Sequence, residues 1–528
     1  MMVRKLILGL LALAVSAGAA DIPAGKVPAG NQQLVRQVTS LPPVDERLKQ
    51  SHPEDAPWLQ DLFEGLTVVD HQGNIQPGVA VSWSSNDNRH WIFTLRKNAR
   101  WSDGSRVTSS DFVNSWQQLA APGTPERYQN YLLQSGVYNA PEVLSGELPG
   151  QVLGITAIDD WHLKITLSRP LAYFPVMTAH PAFFPDKPPA GTPEAPVSRQ
   201  PRQFNGAWQL NSQQPHSVSL VPNPHYHHAE QTILSKVTYI EISNTQELLQ
   251  RYSRGAVQIS APLKTPPQLT AKLADQLHRS PRLSAQVLVF DRVNGPTSDV
   301  RVRKALSWSI DRQAITTDTL QNKAIAGWRM TPSAAGNFTP PLLSAEQHPP
   351  QGRISQAKSL LLAAGYGPSR PLNLTFSYRD SGDEPEVAHA IAAMWQKQLN
   401  AQVTLKPQSS GQPRFSGADV TTATVHAEFN HPAAFLNQLT TGHPQNISGF
   451  SNAAYDSLIL RAERESSEPL RNQDYQQAEH LIAEQVPVAP IFQYVTQRLV
   501  APEVQGYSQD NPLGYSNSRE LWIEQQTE

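Results

Sequence analysis

The amino-acid sequence predicts an α/β protein divided into more than one domain. Three observations carry this. Strand-like and helix-like hydrophobic patterns alternate almost to the end of the 528 residues. Single hydrophobic cores stop growing near about 250–300 residues, and this chain is about twice that length. The 45 prolines are many for a globular chain, yet they fall between periodic segments and make no low-complexity tract, so they mark rigid loops.

The elements follow in chain order. Arg4 and Lys5 precede an apolar and small-residue run from Leu6 to Val15, then Ser16-Ala17-Gly18-Ala19-Ala20. A basic start, a short apolar stretch and an Ala-x-Ala-like end make a secretory signal, expected over residues 1–20. The run is too short for a membrane anchor, which needs about 20 apolar residues. Trp91-Ile-Phe-Thr-Leu95 reads as a strand, and so do Leu163, Ile165 and Leu167 alternating with His162, Lys164 and Thr166. Thr108-Ser-Ser-Asp111 has the form of a capping box, followed by Phe112, Trp116 and Leu119 on one helical face. A helix is expected to open at Ser355, run through Lys358 and Leu362, and close at Gly365. Val387, Ile391, Trp395 and Leu399 mark another, and Tyr475, Ala478 and Ile482 a further one. The proline-rich stretches 185–201 and 331–353 read as linkers or long surface loops.

Composition narrows the function classes. The chain has no cysteine, which excludes disulfides, a lipid-bearing cysteine after the signal, thiol catalysis and cysteine metal sites. Lys+Arg 43 against Asp+Glu 45 gives a net charge of −2, which becomes −4 when Arg4 and Lys5 leave with the signal. That balance argues against a nucleic-acid partner, which requires clustered cations. His426 and His431 lie at i and i+5 with Pro432 after them, whereas two zinc-binding histidines on one helix need i and i+4. His225, His227 and His228 sit in an Asn-Pro-x-Tyr stretch read as a surface turn. There is no nucleophile elbow, P-loop or dinucleotide fingerprint, so no enzyme and no cofactor are expected.

Several segments, in order, resemble the periplasmic oligopeptide-binding proteins, the solute receptors of ABC peptide importers. They are Asp61-Leu-Phe-Glu-Gly65, Gln76-Pro-Gly-Val-Ala80 and Trp101-Ser-Asp-Gly104, then Phe204-Asn-Gly-Ala-Trp208 and Asn223-Pro224 with Tyr226. Asp299-Val-Arg-Val-Arg-Lys-Ala-Leu306, Ala363-Ala-Gly-Tyr366, Phe435-Leu-Asn437 and Pro487-Val-Ala-Pro490 continue the match. Many of these residues read as fold determinants: Trp101–Gly104 a turn, Asn205-Gly206 a tight turn between strands, Asp299 a helix N-cap. The resemblance implies a two-lobed periplasmic binding protein (a Venus-flytrap) with an extra α/β domain inserted in the first lobe. Lobe I would take residues 21–48, 186–286 and 499–528, the extra domain 49–185, and lobe II 287–498. Hinge strands are expected near Ser284–Phe290 and Pro490–Leu499. Such a protein would be a periplasmic monomer without a lipid anchor, capturing a peptide or peptide-like ligand and delivering it to an inner-membrane ABC permease.

The resemblance also implies a ligand site. In the family an aspartate in a Trp-x-Ala-Asp segment holds the peptide ammonium; here Glu428 stands there, after Val425, His426 and Ala427. Thr422 stands where peptide binders carry an arginine. Thr39 and Ser40 lie in a first-strand region shorter than the family's, Arg414 just after a second shortened stretch, and Phe492 and Tyr494 on the second hinge strand. Val287 and His426 align where relatives carry a disulfide. Because the departures cluster at the cleft, a same-fold receptor for a metal chelate or haem stays open, and beyond it a metallohydrolase or a chaperone-like peptide holder.

Overall fold

The computed structural model describes residues 20, 22–41, 56–121, 123–187, 202–263, 269–409, 417–514 and 516–526. Residues 1–19 of the expected signal segment, Arg414 and residues 188–201 of the first proline-rich stretch therefore lie outside the described residues.

Strand periodicity appears as predicted. In His90–Leu95, Trp91, Phe93 and Leu95 turn inward, and in His162–Thr166, Leu163 and Ile165 do so. These two strands pair antiparallel and, with Ala80–Ser84 and Ile155–Asp159 on their flanks, form a four-stranded sheet. A second four-stranded sheet orders Gln33–Val38, Lys236–Glu241, Ser217–Pro222 and Trp208–Gln214, the first pair parallel and the others antiparallel. A six-stranded mixed sheet orders Ala324–Ala326, Val488–Leu499, Leu277–Phe290, Val420–His426, Asn373–Arg379 and Gln402–Gln408.

Helices cover these sheets. In Ser109–Leu119 the apolar stripe Phe112, Trp116 and Leu119 is buried, and the Thr108 backbone N–H donates to Asp111 Oδ2 at 2.6 Å. Asp299 caps Val300–Trp308 by accepting from the Arg301 N–H at 2.8 Å. Trp101–Gly104 is a turn, with Gly104 at φ +81° donating to the Trp101 carbonyl. Gly365, at φ +87°, ends its helix in a Schellman arrangement: Gly365 N–H bonds the Leu362 carbonyl and Tyr366 N–H bonds that of Leu361. The start of that helix differs from expectation. It spans Pro350–Ala363, because a proline at the first helical position costs no hydrogen bond, and Ser355 lies inside with its hydroxyl on the Gln351 carbonyl.

The core falls into two clusters. One joins both four-stranded sheets to the helices Ala453–Arg464 and Glu468–Gln485 through residues such as Trp58, Phe93, Trp116, Trp208 and Tyr475. The other, with Leu288, Phe290, Leu306, Phe376, Trp395 and Ile491, backs the six-stranded sheet. Leu277–Phe290 and Val488–Leu499 run between the two as one long antiparallel ladder. Its register shifts between Pro281 and Ala285 and again between Gln286 and Val287.

Three sequence readings need correction. Asn205-Gly206 is not a hairpin turn. The Asn205 amide exchanges hydrogen bonds with the Glu64 backbone, and a Cβ on Gly206 would lie 2.6 Å from the Leu62 backbone, so glycine is there for close approach. The turn around 224–228 forms, but His227 does not face the surface. Its imidazole is buried with Nε2 2.5 Å from Glu64 Oε2, and Tyr226 and Arg519 reach Glu64 Oε1 at 2.8 and 3.0 Å. This network joins the segment after helix Ala56–Leu62 to the second sheet and to the C-terminal residues. Finally, Val287 and His426 do not face one another. His426 pairs with Ser284 and Val287 with Ala423, a three-residue offset that places them about 10 Å apart, too far for a disulfide.

Candidate ligand cleft

The site is built on the strand Val420–His426. Its alternation sends Thr422, Thr424 and His426 to one face and buries Val425 in the other. Past His426 the chain leaves the sheet but stays pinned, since Ala427 N–H donates to the Leu283 carbonyl and the Gln438 amide to that of His426. This holds Glu428 on the wall of a cavity of about 310 Å³.

Two groups from the segment 127–180 meet the Glu428 carboxylate there. Arg127, on helix Glu126–Gln134, forks onto it with Nη2 2.6 Å from Oε2 and Nε 3.3 Å from Oε1. His180 Nε2 stands 3.6 Å from Oε2. The His180 Nδ1 accepts from the Ala182 N–H, so its proton sits on Nε2 and points at the carboxylate, and the ring stacks on Tyr131 at 3.9 Å. Burial drives the His180 pKa down, leaving a neutral donor. Burial would raise the Glu428 carboxyl, but the hydrogen bonds from His180 and Arg127, with the Arg127 charge, outweigh it and hold the pKa down at about 2.

A second cavity, about 340 Å³, adjoins the first through Arg282, Ser284 and His426, which line both. Three cations, Arg282, Lys323 and Arg379, share its lining with two carboxylates, Asp383 and Glu384. Lys323 pairs with Asp383 at 3.1 Å, and Glu384 accepts from the Thr422 hydroxyl. No carboxylate pairs with the guanidinium of Arg282 or of Arg379 among the described residues, though the Arg379 backbone N–H donates to Glu384 Oε2 at 3.2 Å, and both residues are exposed. Phe492 also lines this cavity, edge-on to Tyr494 at 5.1 Å, whose hydroxyl donates to Gln286 at 2.7 Å.

Of the residues singled out in the sequence, Glu428, Ala427 and His426 line the first cavity, and Phe492, Tyr494 and again His426 the second. Val425 packs in the core, and Thr422 is engaged by Glu384 beside the second cavity. Thr39 and Ser40 sit in the bend after strand Gln33–Val38 and line neither cavity. The sequence reading missed Arg127, His180, Arg282 and Arg379. Each comes from a segment with no local signature, and only the fold collects them.

Residues 74–447 match the bacterial extracellular solute-binding proteins, family 5 (middle region). The chain belongs to this family. Among its relatives, the periplasmic murein peptide-binding protein MppA of Escherichia coli is 38% identical over 514 residues, covering 96% of each chain. The periplasmic oligopeptide-binding protein OppA of Salmonella typhimurium is 32% identical over 531 residues, covering 98% of this chain and 97% of that one. The unliganded open form of MppA superposes with a TM-score of 0.89 at 37% identity over 96% of this chain and 99% of that one. Another structure of Escherichia coli MppA, at the same 37% identity, superposes at 0.71 over 95% of this chain and 100% of that one. The present structure thus superposes better on the open form than on this second structure. The architecture is thus the two-lobed solute-binding fold, and the protein is periplasmic like its relatives.

Proposed function

We propose that this chain is a non-catalytic receptor for short peptides that carry carboxylates, which it captures in the cleft and hands to an inner-membrane ABC importer. The observation that carries the reading is the charge layout of the two joined cavities. An ionised carboxylate, Glu428, stands in one, and the guanidinium groups of Arg282 and Arg379 have no carboxylate partner along the other. A zwitterion laid through both sets its ammonium against Glu428 and its carboxylates against the arginines, each charge meeting its opposite as it leaves water. His426 and Ser284 stand between, with Phe492 and Tyr494 offering an apolar wall. The relatives named for murein peptide and oligopeptide binding support peptides as the ligand class.

Closure would bend the ladder between Leu277–Phe290 and Val488–Leu499. Its register shift at Gln286/Val287 supports division of the chain there, with lobe I at 21–48, 186–286 and 499–528, the extra domain at 49–185 and lobe II at 287–498. The test is to denature protein purified from its own host under mild conditions and identify what is released by mass spectrometry. Short peptides with acidic groups are expected; a metal chelate, or peptides that the protein has itself cleaved, would refute the proposal.

A further inference from the structure

Behind the cleft lies a third cavity of about 280 Å³, sharing Gly73, Ile75, Val176 and Asn430 with the cavity of Glu428. Asn430 is the partition. It is 8% exposed, donates to the Gly73 carbonyl at 2.9 Å and accepts from the Gly336 N–H at 2.7 Å. Trp83, Tyr173 and Phe338 give the compartment aromatic walls.

Two donors in it lack acceptors. Arg471 is 9% exposed; its Nη1 reaches the Glu465 carbonyl at 2.9 Å, but its Nε is buried with no partner, and no carboxylate pairs with it among the described residues. His431 lies beside it, its Nδ1 accepting from the Ala433 N–H at 3.2 Å, so the proton is on Nε2, which has no acceptor among the described residues. Burial, reinforced by the Arg471 charge, pushes the His431 pKa down to about 3, and the ring remains a neutral donor. Of the nearby acids, Glu463 is held by Arg169 and Asn437, and Glu468 stands exposed on the rim. A buried guanidinium without an anion costs several kcal/mol, so a cavity that keeps one beside a free N–H is built for an anionic group.

We propose that this compartment binds a carboxylate joined through a short aliphatic link to an aromatic ring. The carboxylate takes the Arg471 and His431 N–H groups, and the ring lies against Trp83, Tyr173 and Phe338. The group is either a free arylalkanoic acid or an aromatic terminal residue of a peptide reaching past Asn430. The site stands on its own, whatever fills the main cleft.

Titration calorimetry of the whole protein with phenylacetate and with its neutral amide, phenylacetamide, tests this. The acid is expected to bind at least tenfold more tightly, and Arg471→Gln to abolish that preference. Asn472→Trp, which sets a bulky ring on the cavity wall at a half-buried position and spares the Arg471 and His431 donors, should block both ligands even if the arginine variant folds poorly. Glu428→Gln should leave phenylacetate binding unchanged. No saturable heat, equal affinity for acid and amide, a preference that survives Arg471→Gln, or loss of binding in Glu428→Gln would each overturn the assignment. Repeating the titration with the cleft filled by a co-purified peptide separates the sources. Displacement of phenylacetate identifies the compartment as the end of the peptide site, and simultaneous binding identifies a site for free acids.

Discussion

Replacing Glu428 by glutamine keeps the side chain's size and removes its charge. In the open structure that charge is shared by the Arg127 fork and the His180 N–H, and the carboxylate is 31% and Arg127 26% exposed. An ammonium arriving on Glu428 therefore joins an existing pair. At an effective dielectric near 20, two charges 4 Å apart interact by about 4 kcal/mol, and truncating one member of a hydrogen-bonded charge pair in an interface costs about 2–5 kcal/mol. Partial exposure sets the expectation at the low end. Glu428→Gln should weaken a free peptide by about 2–3 kcal/mol, roughly 30- to 150-fold in Kd. The variant also leaves Arg127 facing the ammonium with no anion between them. The N-acetylated peptide, which has no ammonium, should bind parent and variant within about threefold. Calorimetry with both peptides on both proteins reads this directly. Equal affinity of parent and variant for the free peptide would refute the anchor, and an equal loss for the acetylated peptide would show that the carboxylate acts only through packing.

Other expectations follow from the same geometry. Arg282→Gln with Arg379→Gln should weaken acidic peptides at least about tenfold while flattening the salt dependence of binding, measured by calorimetry across ionic strengths. Burial would raise the Glu64 carboxyl, but His227, Arg519 and Tyr226 bring its pKa down to about 2 from an ordinary 4.5. Because the folded pKa is depressed, this stabilisation is complete above pH 4.5 and lost as pH falls from about 4.5 to about 2, on the order of 3 kcal/mol in all. Glu64→Gln should lower stability at pH 7 by about 3–5 kcal/mol and lose that part of the acid dependence, as read by denaturant titration at several pH values. Gly206→Ala sets a Cβ 2.7 Å from the Asp61 carbonyl, which cannot yield. It should cost at least about 1–3 kcal/mol, and a melting temperature equal to the parent's would contradict the close-approach account.

Local features were legible because their causes are local. The inward face of His162–Thr166, the capped helix Ser109–Leu119 and the Gly365 terminus each rest on neighbours within a few residues. Gly206 and His227 were misread for the opposite reason. The partner of His227 is Glu64, 163 residues earlier, and the same segment makes Gly206 necessary. The candidate site divides likewise. Glu428 was found because it sits in a short matching segment, whereas Arg127, 301 residues away, carries no mark of its role until the fold brings the two together. The helix expected to open at Ser355 begins at Pro350, where proline is itself a start signal at the first helical position.

The account's central claim is that a peptide is captured between two lobes that stand open without it. Small-angle X-ray scattering of the ligand-stripped protein, before and during titration with a peptide from its own released pool, tests this most directly. The radius of gyration should fall and saturate at the stoichiometric point, with the scattering moving away from that of the open arrangement. A radius that stays constant through saturation would contradict capture by closure.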